Sequence, residues 1–386
     1  MQNLSLSLLL SPEGNGRFPR SGRCVSLPAR PEDAPRQPGS VQSRKMAVRL
    51  TELAKSGGCA AKFSAARLEE LLRGFVPAEA ENLLVGLAPA DDAAVYRLDD
   101  ERALVFTLDF FPPLVDDPAL YGRIAATNAL NDVFAMGGSP LLALSIAALP
   151  ESLPNETVAA IFAAADDQVR LAGGILAGGH TLRDEEPKYG LAVVGTVHPK
   201  GYWSKAGAQP GDVLFLTKPL GTGLILQAAR QGRRHATGLA EATDWMTVLN
   251  RAAADTLRPF APNAVTDVTG FGLLGHAYEV ADRSGVRVVL EAAALPAMTG
   301  AVELAAAGIR TGGDPRNRDF AGPHVHSDGV AAELLALAYD PQTAGGLLIS
   351  LPFAKATVLD AAFASADLFG RRIGRVESGR GVRLEA

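Results

Sequence analysis

The sequence predicts two α/β (or α+β) domains, on three observations. The chain has 386 residues, too many for one ordinary hydrophobic core. From Met46 onward, short β-branched or Leu/Val runs alternate with Ala-rich stretches of helical period. The stretch 199–212 is polar and broken by Pro, Gly, Trp and Ser, and it separates a first domain at 46–200 from a second at 207–386.

The elements follow in order. Residues 93–98 and 103–108 read as strands, and 119–136 as a helix with apolar contacts at Leu120, Ile124 and Leu130. The apolar run 141–149, after Ser139-Pro140, is a strand, and 155–173 is a helix opened by the cap-like Asn155. Residues 190–198 form the next strand. The second half resumes with strand 213–217 and helices near 221–231 and 243–259. Strand 264–268 runs into a Gly-rich turn and a helix from about 273. Strand 286–290, a helix near 298–307, strand 346–351, a helix near 353–366 and a final strand complete the chain, with 309–330 a loop rich in Gly, Pro, Arg and His. Residues 1–45, with seven Lys/Arg against three Asp/Glu and no sustained period, read as a disordered extension. An upstream start codon, with Met46 the working start, explains it most simply; a transit peptide is the alternative.

Composition limits the chemistry. Hydrophobic residues make up 47% of the chain, but no apolar run approaches the roughly 18 residues of a membrane helix. The net charge of −5 argues against a general nucleic-acid binder, which needs a basic face. Two cysteines, Cys24 and Cys59, make no disulfide framework, so a cytoplasmic, reducing compartment is expected. Neither C-x-x-C nor H-E-x-x-H occurs, which leaves little room for a zinc cage.

Aspartates mark the strand ends. Asp91-Asp92 directly precede strand 93–98, and Asp109 follows strand 103–108. Asn128 and Asp132 are four apart on one helix face. Mg²⁺ takes hard oxygen ligands, often one or two carboxylates plus phosphate oxygens and water, so Asp92, Asp109 and Asp132 suit it; solvated acidic loops are the competing reading. Asp116-Asp117, before a proline, reads as a turn. The segment Gly57-Gly58-Cys59-Ala60-Ala61-Lys62 is permissive enough to close over a ligand as a lid at 56–63. Cys59 is either a thiolate near the Lys62 ammonium or a small buried hydrophobe. Gly178-Gly179-His180-Thr181 follows the run Ile175-Leu176, and its glycines admit a phosphate or base close to the main chain. Gly270-Phe271-Gly272-Leu273-Leu274-Gly275 has the G-x-G-x-x-G form of a dinucleotide site. Asp267 stands just before it, however, and would repel a pyrophosphate unless a cation intervened; with a metal, Asp267 fits as another ligand.

Taken together, these motifs resemble the selenophosphate synthetases (selenide, water dikinases), class I. The matching strings include Gly57 through Lys62, Asp91-Asp92-Ala93-Ala94-Val95-Tyr96, Thr107-Leu108-Asp109-Phe110-Phe111 and Asp132-Val133-Phe134-Ala135-Met136-Gly137-Gly138. Gly178 through Thr181, Leu216-Thr217-Lys218-Pro219-Leu220-Gly221, Thr266 through His276 and Asp340-Pro341-Gln342-Thr343-Ala344-Gly345-Gly346 follow in order. The resemblance runs from about residue 48 to the C-terminus. It implies an aminoimidazole-ribonucleotide-synthetase-like fold, with an ATP- and Mg²⁺-binding N-terminal domain. It implies homodimers joined through the N-terminal sheets, with ATP bound near that junction.

The implied reaction is ATP + selenide + H₂O → selenophosphate + AMP + phosphate, supplying activated selenium for selenocysteine and selenouridine synthesis. By resemblance, Cys59 is the catalytic cysteine and Lys62 the catalytic lysine that contacts ATP phosphates. Asp92, Asp132 and Asp267 resemble Mg²⁺ ligands. Asp109 and Asp132 resemble ATP-binding residues, and Pro89-Ala90-Asp91 and Gly179-His180-Thr181 fall on ATP-contacting stretches. Many relatives read Cys-x-Cys-Lys where this chain has Ala61, which disfavours a two-thiol mechanism. ATP and selenide are the implied small-molecule partners, and a selenium-delivery protein is a candidate one; nucleic acid and membrane are not expected. Kinases or synthetases of the same fold, acting on thiamine monophosphate, purine precursors or a carbamoyl group, are the alternatives.

Overall fold

The computed structural model describes residues 48–54, 65–77, 80–88, 90–233 and 236–386. Residues 49–386 form one compact unit. The expected extension 1–45 and lid 56–63 lie outside the described residues.

The N-terminal part contains α1 (Ala65–Leu72), β1 (Leu83–Val85), β2 (Ala94–Arg97), β3 (Ala103–Phe111), α2 (Pro118–Ala135), β4 (Ser139–Leu149), α3 (Asn155–Leu171), β5 (Ile175–Arg183) and β6 (Lys188–Val197). Its six strands run in the order β1-β2-β3-β6-β4-β5. Alternation along β3 buries Ala103, Val105, Thr107, Asp109 and Phe111 and leaves Phe106, Leu108 and Phe110 exposed. The covered face packs on α2, which is buried along most of its length. Asp117 caps α2 by accepting from the Leu120 N–H at 2.7 Å, and Pro118 opens it. Gly122 lets α3 approach closely: a β-carbon there would collide with the Ile161 carbonyl.

The C-terminal part contains β7 (Asp212–Leu216), α4 (Thr222–Arg230), α5 (Ala236–Thr247), α6 (Arg251–Leu257), β8 (Ala264–Asp267), α7 (Gly272–Ser284), β9 (Arg287–Glu291), α8 (Ala301–Ala306), α9 (Asp314–Ala321), β10 (Val325–His326), α10 (Ala332–Tyr339), β11 (Leu347–Pro352), α11 (Phe353–Ser365), β12 (Arg371–Glu377) and β13 (Gly381–Glu385). Its seven strands run in the order β10-β13-β9-β12-β7-β11-β8.

Several expectations change. Strand β3 continues through Asp109 to Phe111, because its ladder with β6 runs unbroken to the Phe111–Tyr189 pair. The run Ile175-Leu176 does not end before Gly178-Gly179: β5 carries on through them to Arg183 beside β4. The helix read at 243–259 is two helices, α5 and α6. The loop 309–330 contains α9, opened by Asp314-Pro315 and held by an Arg318–Asp314 ion pair one turn apart. The dinucleotide reading fails on topology. Strand β8 pairs antiparallel with β11 at the sheet edge, and β9, next in the chain, lies four places away. A dinucleotide βαβ unit needs parallel strands around its crossover.

Candidate active site

Four separate stretches bring four aspartates together. Asp92 stands just before β2, Asp109 lies in β3, Asp132 in α2 and Asp267 at the end of β8. Asn128 and Asp132 share the face of α2 that meets β3, as their spacing predicts. Asn128 Nδ2 donates to Asp109 Oδ2, and the Thr107 hydroxyl donates to Asp132 Oδ2 at 2.5 Å. Asp132 keeps part of its surface open to solvent. Even so, burial pushes its carboxyl well above the usual range, and Asp267, Asp109 and Asp92 add to this while Thr107 opposes it. These four carboxyl groups share one poorly hydrated space.

Asp92 and Asp91 face different partners. The Asp92 side chain is 5% exposed. Its Oδ1 accepts from the Thr266 hydroxyl at 3.0 Å and lies 3.0 Å from the Lys205 ammonium. Its Oδ2 is buried with no hydrogen-bond partner among the described residues. A buried carboxylate oxygen left this way is costly unless something occupies it. Asp91 instead clasps the segment between the sheets. It accepts from the Ser204 hydroxyl at 2.7 Å and the Lys205 N–H at 3.1 Å. Burial, then the nearby Asp92, raises its carboxyl to about 6. The exposed Ala90 adjoins it.

Cations and amides complete the surroundings. Burial pulls the Lys218 ammonium down to about 7, with Asp267 opposing. Its Nζ donates to the carbonyls of Val248 at 2.5 Å and Ala344 at 2.6 Å. The Ala344 N–H donates to Asn128 Oδ1 at 2.8 Å, so the Asp340–Gly346 loop is tied to the amide that holds Asp109. Burial works against the charge of Lys205, but Asp92, Glu279 and Asp91 outweigh it and hold the ammonium above the ordinary lysine range.

The structure thus gathers Asp91, Asp92, Asp109, Asp132 and Asp267. Gly179, His180 and Thr181 stand apart on the edge strand β5. Asp109, Leu191, Ser145 and Gly179 are successive cross-strand partners, which puts Gly179 three strand spacings, about 14 Å, from Asp109. His180 continues the row of Phe110, Gly190 and Ile146. Cys59, Lys62 and Pro89 lie outside the described residues. Lys205, Glu279 and Lys218 were not singled out as site residues from sequence. The i,i+3 spacing of His276 and Glu279 was the one local signal available for them.

Among the described residues no three His, Cys, Asp or Glu side chains form a ready cation cage. Mg²⁺ shared with phosphates needs only one or two carboxylates, and the hard, buried oxygens of this cluster suit it.

Comparison with known proteins gives the family. Residues 90–197 match the model of AIR synthase related protein, N-terminal domain, and 209–386 that of its C-terminal domain. Selenide, water dikinase 2 of Peptoclostridium acidaminophilum is 44% identical over 86% of this chain and 96% of its own length. Selenide, water dikinase of Paraburkholderia xenovorans (strain LB400) is 47% identical over 86% and 95%. The crystal structure of thiamine-monophosphate kinase from Stenotrophomonas maltophilia K279a shares the fold, with a TM-score of 0.59 and 24% identity over 84% of this chain and 96% of that one. With two carboxylate-bearing sheets meeting at one site and this identity along most of its length, the chain belongs to the selenide, water dikinase family.

Proposed function

We propose that this chain makes selenophosphate from ATP, selenide and water, releasing AMP and phosphate, at the aspartate cluster between its two sheets. The observation that carries the site assignment is the convergence of Asp92, Asp109, Asp132 and Asp267 from distant stretches into one desolvated space. Phosphoryl transfer requires positioning and charge neutralisation more than covalent help. Asp92, Asp132 and Asp267 would hold Mg²⁺. When bound, Mg²⁺ supplies charge neutralisation at the phosphate oxygens. Asp109, fixed by Asn128, faces the nucleotide. Lys62 adds a point charge at the phosphates, and Cys59 holds or delivers selenium. Selenide is a strong nucleophile, so no dedicated base is needed.

Anaerobic incubation with ATP, Mg²⁺ and selenide, followed by ³¹P NMR, tests this. Selenide-dependent AMP with a selenophosphate signal is expected, and a Cys59→Ser protein should lose the signal by about a hundredfold or more. ADP as the sole nucleotide product would overturn the reaction, and a normal rate for Cys59→Ser would remove the cysteine from it.

A second copy of this chain fits the open face of the first sheet. Tyr96, Phe106, Leu108, Phe110 and Leu144 are all exposed on it. A contiguous apolar sheet face of this kind suits a self-complementary interface. The nucleotide stretch Gly179-His180-Thr181 borders the same face. The double variant Phe106→Asp/Leu108→Asp should sediment as a monomer and lose at least about tenfold in turnover, since two desolvated charges cost several kcal/mol. An unchanged sedimentation coefficient would rule out this face as the contact. The cytoplasm is the proposed compartment, and no helix among the described residues is long and apolar enough to cross a membrane.

A further inference from the structure

Beside the four aspartates lies a set of buried charged groups that phosphoryl transfer does not call on. Lys205, in the segment between the sheets, has a side chain only 7% exposed. Its ammonium lies 3.0 Å from Asp92 Oδ1 and 3.3 Å from both carboxylate oxygens of Glu279 on α7. Glu279 Oε2 lies 3.0 Å from Nδ1 of His276, three residues earlier on that helix. His276 Nε2 in turn accepts the backbone N–H of Thr269 at 3.0 Å, two residues beyond Asp267. Because Nε2 accepts, the ring proton is assigned to Nδ1, which lies close to Glu279 but makes no aligned hydrogen bond among the described residues. A continuous line of contacts therefore runs from Asp92, beside the first sheet, to the turn that carries Asp267 in the second.

The charges in this line are uneven in a useful way. Two carboxylates, those of Asp92 and Glu279, share the one ammonium of Lys205. The burden falls on Asp92, whose Oδ1 meets both Thr266 and Lys205 while Oδ2 is buried with no hydrogen-bond partner among the described residues. A lysine with Asp92 as its sole carboxylate would be drawn across both oxygens. Glu279 pulls the same ammonium from the other side, and the His276 ring packs against that carboxylate. Leaving a buried carboxylate oxygen unsatisfied costs stability, so the arrangement needs a reason other than the ion pair itself.

We infer that Glu279, with His276 packed beside it, is a positioning residue that restrains Lys205 to one oxygen of Asp92 and so keeps the other available to a divalent cation. This rests on the proposed Mg²⁺ role of Asp92.

The test is Mn²⁺ binding to the whole protein without ATP, followed by electron paramagnetic resonance of the free ion. Glu279→Gln keeps the shape but releases the ammonium, and should weaken Mn²⁺ binding about tenfold, roughly 1.4 kcal/mol. Adding Lys205→Met to it removes the competing cation, and should restore affinity at least about threefold. Simple structural damage predicts the opposite, a double variant weaker than either single one. Should Glu279→Gln fail to fold, His276→Gln removes the ring packed against the same carboxylate and is expected to weaken binding about threefold. Unchanged affinity in the folded Glu279 or His276 variant, or no recovery in the double variant, overturns the inference. Asp92→Asn separates the two readings. If it leaves Mn²⁺ binding intact, the metal role of Asp92 fails and takes this inference with it. If it abolishes binding while Glu279→Gln does not weaken it, only the inference fails.

Discussion

Asp132→Asn is expected to lower selenide-dependent AMP formation by about three orders of magnitude, roughly 4 kcal/mol of transition-state stabilisation, while leaving the fold at least as stable. The two effects share one cause. Asp132 lies in a space that already holds Asp109, Asp267 and Asp92, and burial plus these neighbours pushes its carboxyl well up. The asparagine oxygen can still accept the Thr107 hydroxyl, so the bond to β3 survives. What disappears is one negative charge that the folded state holds against its preference. A carboxyl raised by folding stabilises the protein only while protonated in the fold. Wild-type stability therefore falls as pH rises from the unfolded carboxylate range through the higher folded one. The variant lacks that fall. Its melting temperature without Mg²⁺ should match the wild type in acid and exceed it near neutral pH, and Mg²⁺ should close the gap by stabilising the wild type alone. Loss of activity with gain of stability is the expected signature of a functional charge. Turnover within tenfold of wild type would remove Asp132 from the phosphate-binding machinery.

The parts of this site that could be read from the sequence were those encoded locally. Asn128 and Asp132 fall on one face because helical spacing is fixed, and the structure aims both at β3. Asp267 stood out because a carboxylate directly before a Gly-rich turn contradicts a pyrophosphate site. Lys205 was illegible because its meaning depends on Glu279, 74 positions later. It sits in a stretch whose Pro and Gly content reads as linker. Strand β5 shows in the sequence only as the run Ile175-Leu176, since Gly178-Gly179 carries a turn signal that pairing with β4 overrides. Helix α10 presents an almost wholly apolar sequence, AELLALAY, and so offers no amphipathic period to recognise. Helix α9 is the converse, so polar that its capping proline and its i,i+4 ion pair are its main local signs.

The distant Asp340–Gly346 loop provides the second large effect. Gly345→Ala is expected to destabilise the protein by about 3 kcal/mol or more and to abolish measurable turnover. An added β-carbon at Gly345 would collide with the carbonyl oxygen of Val268, the residue after Asp267. No rotamer relieves this, because both partners belong to the main chain. One of the two loops must retreat. The Asp340–Gly346 loop is held in several places: Ala344 by Asn128 and Lys218, Gly345 by Asn250, and Gln342 by the Thr269 carbonyl. The Val268 turn is held by its N–H bond to Gly346 and by β8. Movement of either side displaces Asp267 relative to Asp132 or pulls Asn128 away from Asp109. Gly312→Ala is the matching control, since a β-carbon there meets nothing within 4 Å and its backbone is not in the left-handed region. That variant should melt and turn over like the wild type. Thermal unfolding and selenide-dependent AMP release on both proteins decide the matter. If Gly345→Ala behaved like Gly312→Ala, the close approach of these two loops would not be what sets the spacing of the aspartates.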